Sequence, residues 1–155
     1  MILKNQKLLI KKPIIPLKLK DKISFFSNCD VTIAELKLFD QVLQCVATQL
    51  ENEQIDLSSF YKLNVFFTSD GSMSFVENDD RNNGSQIYMA VYRMDKLRRI
   101  GSVTFTAFVF AEELAHYYWR IYDESIVKYK VVEILNHIFP NLTIEEVKGW
   151  GLNGL

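Results

Sequence analysis

At 155 residues the chain has the length of one domain, and with 48% hydrophobic against 24% charged residues its composition is globular rather than disordered. A domain of this size buries roughly 68–70% of the surface its unfolded chain exposes, so it folds without a disulfide or metal staple. No apolar run approaches bilayer length, the longest being residues 87–92, which excludes a helical membrane span.

The net charge of -1 conceals an asymmetry. Residues 1–22 hold seven lysines (Lys4, Lys7, Lys11, Lys12, Lys18, Lys20 and Lys22) against Asp21, a net +6 that leaves -7 for the rest. Such an arm offers a contact for nucleic acid or an acidic protein partner. Its other reading is a strand with a solvated lysine face, because residues 17–23 alternate with period two. Pro13 and Pro16 confine any strand in the arm to a sheet edge. Lysines also interrupt the apolar residues at the N-terminus too often for a signal-peptide core. Cys29 and Cys45 lack metal or redox spacing and read as reduced thiols of a cytoplasmic protein.

Beyond the arm, residues 32–50 carry helical apolar spacing (Ile33, Leu36, Phe39, Val42, Leu43, Val46), with Asp30 or Thr32 to cap the start. Residues 62–68 and 86–93 read as strands, with a short strand over 73–76 between them. Asp70, Gly71, Asp79, Asp80, Asn82, Asn83 and Gly84 supply turn chemistry; 79–84 resembles a calcium loop only loosely and lacks its closing glutamate. Helices are expected over 102–122 and 124–139, the second stopped by Pro140. The tail, 141–155, either docks through Trp150 or stays loose. The order predicts an α+β fold: a basic arm (1–22), a single domain over 23–140 with a helix, a small antiparallel sheet and two packed helices, then the tail.

The first of the two late helices carries the most information. From Phe105 to Trp119 it is apolar on every face, the pattern of a helix buried through a core, yet Glu112, Glu113 and His116 lie within it. At 100° per residue, with Glu112 at 0°, His116 falls at about 40° and Glu113 at about 100°, so all three share a sector. Unpaired buried carboxylates cost several kcal/mol each. They must therefore face a cleft, pair with a cation such as Arg98, Arg99 or Arg120, stay protonated, or bind a metal. A satisfied polar cluster at the core edge fits the same residues. On the following helix Glu124 falls at the centre of the apolar face, whereas Glu133, near His137 and Lys130, falls on the solvated side. Tyr117, Tyr118, Trp119 and Tyr122 read as core and rim packing.

A sheet, then a buried helix bearing H-E-x-x-H, then a helix offering an acid is the pattern of the zincin metallopeptidases. Glu112-Glu113-Leu114-Ala115-His116 resembles that motif with glutamate replacing the first histidine, and residues 60–139 look most like the compact zincin-like proteins of bacteria and their mobile elements. The resemblance implies Glu113 as general base, His116 as a metal ligand, Glu124 as a third ligand and zinc as the metal, with Glu112 in the first ligand position. It leads to a zincin-like protein with a degenerate metal site, acting as a non-catalytic binding or regulatory factor with a protein partner. The alternatives are an active metallohydrolase using Glu112, His116 and Glu124, and an interaction module acting through the basic arm. Glu113-Leu114-Ala115-His116 also matches E-x-x-H of di-iron bundles, which need a second copy this chain lacks.

Overall fold

The computed structural model describes residues 2–4, 7–8, 11–72, 74–76 and 88–150. A four-stranded sheet runs in the order β2 (Lys7–Leu8), β3 (Ile23–Ser27), β4 (Leu63–Thr68), β6 (Tyr88–Arg93). β3 and β4 are parallel, as are β4 and β6, whereas β2 lies antiparallel on the β3 edge. A separate ribbon pairs β1 (Ile2–Lys4) with β5 (Ser74–Val76). The helices are α1 (Ile33–Asn52), α2 (Met94–Ile100), α3 (Val103–Trp119), α4 (Glu124–Leu135) and α5 (Ile144–Gly149).

The mixed α/β character agrees with the sequence; the small antiparallel sheet does not. Turn residues between two strands suggest a hairpin, but β5 leaves the sheet to pair with β1, and β6 returns parallel to β4. β4 carries the signature of a covered parallel strand, with five of its six residues buried. The turn expected over 70–84 is described only at its start, where Gly71 is left-handed (φ 83°) and Ser72 N–H donates to Asp70; residues 79–84 lie outside the described residues.

A second correction falls at residues 17–23. Leu17–Leu19 forms a 3-10 turn after Pro16, and Asp21 takes a left-handed φ of 60°, so the strand starts only at Ile23. Alternation misled because Leu17 is 84% exposed while Leu19 is fully buried; they share no face. Lys18 and Lys22 donate to the carbonyls of Ile55 and Phe60. The exposed lysines left for a partner among the described residues are thus Lys7, Lys11, Lys12 and Lys20 in the arm.

α1 forms where the spacing predicts it. Thr32 closes a capping box with Glu35, and Glu35 also accepts from Arg98 at the end of α2 (2.9 Å). Phe39 sits where α1, the sheet and α3 meet. Its ring stands edge-on to Phe25, Phe67, Tyr92 and Phe110 at centroid separations of 4.8–5.7 Å. α2 and α5 are too short for periodicity to reveal; Gly101, left-handed at φ 70°, ends α2 and lets α3 start at Ser102. α4 stops at Leu135, short of Phe139, because Asn136 donates to the carbonyls of Phe139 and Leu142 and tightens the chain there. The tail docks as far as Trp150, which packs edge-on against Phe105 and Phe108 at 5.6 Å.

Phe39→Ala should cost about 3–5 kcal/mol in denaturant unfolding, whereas Leu17→Ala should stay within about 0.5 kcal/mol. A loss at Leu17 comparable to that at Phe39 would contradict the exposed turn.

Candidate functional site

α3 is enclosed by α1, α4 and β6, and Phe108, Phe110, Ala111, Leu114 and Ala115 are each fully buried. Ala107, Ala111 and Ala115 recur every four residues, forming a stripe without bulk that lets a neighbour approach closely. Glu112, Glu113 and His116 occupy the half-buried remainder of the helix. Among the described residues no arginine or lysine forms an ion pair with Glu112 or Glu113. Arg98 is paired with Glu35, and Arg120 lies over the ring of Phe60 at 4.7 Å, so neither meets the expectation of a counter-ion.

The structure brings Glu112, His116 and Glu124 together, with one donor atom from each lying within 4.8 Å of the others. The first two meet because residues four apart share a helix face. Glu124 arrives from the start of α4, capped by Asp123, whose carboxylate accepts from Ser125 N–H and Ile126 N–H. The Glu124 side chain is 72% exposed, not buried as its place on the helical wheel suggests. At the first position of α4, no further turn exists to cover it. Its Oε2 lies 3.4 Å from Nε2 of His116. Glu133 is half-exposed as expected, but also engaged by Lys130 and Gln49. Tyr122 is 82% exposed and packs against nothing comparable to Tyr118, which is buried.

His116 is held from its other side as well. Nδ1 lies 2.5 Å from the carbonyl oxygen of Ile121. A carbonyl only accepts, so Nδ1 carries the proton and donates; in the neutral ring Nε2 is then the unprotonated nitrogen on the side of Glu124. Behind the site, buried Tyr92 donates from its hydroxyl to Phe110 O (2.7 Å), and burial together with the charges of Glu113 and Glu112 pushes its phenol well up.

Burial, reinforced by Glu124 and opposed by His116, raises Glu112 from the ordinary 4.5 of a glutamate to about 7. Glu113 is raised for the same leading reason, burial. The donor set, one imidazole nitrogen and two carboxylates, fits a divalent cation. Ligand atoms around zinc lie roughly 3.4 Å apart in tetrahedral geometry, so the cluster, spread over up to 4.8 Å, must contract by up to about 1.4 Å. The exposed Glu124 side chain has the freedom to supply that movement.

No known family model matches the chain, and neither does any curated protein or solved structure. The zincin resemblance is therefore carried by the sequence motif alone. Nothing in the sequence signals the carbonyl of Ile121 or the left-handed Arg120, which are backbone features; only the short gap between the two helices points to a tight turn.

In metal-free protein, Glu112→Gln should be more stable than wild type above pH 7. Because the native pKa lies above the unfolded one, the stability of wild type relative to the glutamine variant is fully present below about 4.5 and is lost as pH rises through about 7. Urea midpoints of both proteins across this range measure the difference. A gap independent of pH would show that Glu112 does not titrate in this window.

Proposed function

We propose that this chain is a zincin-related protein whose Glu112, His116 and Glu124 take up one divalent cation, and that it acts as a binding or regulatory factor rather than as a peptidase. The observation that carries the reading is the convergence of these three donors around an imidazole whose remaining nitrogen is already bonded to Ile121 O. Zinc is the cation the motif implies, with Glu112, Nε2 of His116 and Glu124 as its holders. A bound cation supplies Lewis acidity to the centre. Two carboxylates cancel the charge of a dication, whereas two histidines and one carboxylate leave a net positive centre. The glutamate at position 112 thus weakens the polarising power that peptide hydrolysis needs. Tyr122, Ile126 and Tyr129, around the start of α4, are 82, 55 and 54% accessible, exposed apolar surface suited to a protein partner.

One observation favours a hydrolase instead. Glu113 is half-buried next to the cluster with a raised pKa, the condition of a general base poised to take a proton from water.

Saturating zinc at about 100 times Kd should stabilise the protein by about 2.7 kcal/mol, a rise of roughly 5–10 °C in Tm for a chain of this length. His116→Ala should abolish the rise and Glu113→Gln should keep it. The zinc-loaded wild type should cleave no general peptide or ester substrate. Cleavage that disappears in Glu113→Gln would replace the binding reading by the hydrolase; no Tm rise with zinc or manganese would remove both.

A further inference from the structure

The imidazole of His116 has two nitrogens, and one short segment, residues 120–123, addresses both. Ile121 places its carbonyl on Nδ1, and the turn ends at Asp123, the cap that sets Glu124 at the head of α4, 3.4 Å from Nε2. Segment 120–123 can reverse this tightly because Arg120, the residue that ends α3, is left-handed (φ 54°, ψ 39°). Arginine is not a residue that favours this conformation; glycine and asparagine are. Its guanidinium lies over Phe60, 4.7 Å from the ring centroid, a contact that offsets part of the backbone cost and anchors the turn to the loop before β4. Phe60 in turn packs against Tyr117 and Tyr118 of α3, so the anchor and the helix bearing His116 belong to one packed unit.

We propose that the 120–123 turn is the positioning device of the centre: Arg120, held left-handed over Phe60, delivers the Ile121 carbonyl to Nδ1 of His116 and so fixes the ring with Nε2 as its cation-facing lone pair. The proposal rests on the reading of Glu112, His116 and Glu124 as a cation site for its purpose, but not for its geometry. Arg120 and Ile121 touch neither cation nor ligand oxygen; they act through His116. A backbone carbonyl that orients a ligand histidine in this way both selects the tautomer and spares the cation the cost of ordering the ring.

The chain has only two histidines, His116 and His137, which makes the tautomer directly readable. Long-range proton–nitrogen correlation spectra of metal-free, histidine-labelled protein at mildly alkaline pH, assigned with His137→Gln, report which ring nitrogen of His116 carries hydrogen. We expect hydrogen on Nδ1 alone. Arg120→Gly, which adopts the left-handed conformation at no steric cost but gives up the contact with Phe60, should keep hydrogen on Nδ1 and bind zinc more tightly than Arg120→Val does. Arg120→Val, whose branched side chain resists it, should mix the tautomers and weaken zinc binding by about 10–100-fold, the usual loss when a ligand's supporting contact is removed. Hydrogen on Nε2 in the wild type would overturn the proposal, and this reading stands even where the valine variant does not fold. An unchanged spectrum and zinc affinity in a folded Arg120→Val would overturn it equally. Failure of the wild type to bind zinc while Nδ1 keeps its hydrogen would instead count against the cation reading, leaving the positioning geometry intact.

Discussion

The hydrogen bond from Nδ1 of His116 to the carbonyl of Ile121 governs what the buried helix can do. It satisfies one ring nitrogen with the backbone while the other lies 3.4 Å from Glu124, in the cluster that also includes Glu112. The bond exists because α3 ends at a left-handed Arg120 and the chain turns back at once into α4.

Everything beneath that turn is apolar and holds α3 in place. Phe39 ties α1, the parallel strands and α3 through four edge-on ring contacts, and Tyr92 reaches up from β6 to the carbonyl of Phe110. At the far ends of α1 and α3 a polar clasp continues the join: Glu53 accepts from Gln49, Trp119 and Lys130, and Lys130 also meets Glu133 of α4. Burial raises the affinity of Glu112 and Glu113 for protons, because protonation neutralises carboxylates that water reaches poorly. The chemistry of the centre follows from one fact, that a nearly all-apolar helix carries Glu112, Glu113 and His116.

That fact was legible in the sequence, as were α1 with its Thr32 cap, both principal strands and the approximate spans of α3 and α4. Helical spacing put Glu112 and His116 on one face without any knowledge of tertiary structure. It also singled out Glu124, though for the wrong reason: the wheel assigned it to the core, whereas its position at the head of α4 leaves it exposed and able to reach across to His116. The sheet direction was not legible, since β4 and β6 carry the same apolar content whichever way they run, and the pairing of β5 with β1 is set by contacts distant in sequence. The lysine arm was read partly amiss because two of its ammonium groups serve the carbonyls of Ile55 and Phe60, contacts that charge counting does not see.

The most direct measurement is the metal content of protein purified without chelator, by elemental analysis, beside the Glu113→Ala/His116→Ala double variant and Glu124→Gln. Close to one transition-metal ion per chain in the wild type, lost in the double variant and reduced in Glu124→Gln, is the result this account requires. No metal in the wild type, even after incubation with zinc or manganese, would contradict it and leave Glu112, His116 and Glu124 as a polar cluster at the edge of the core.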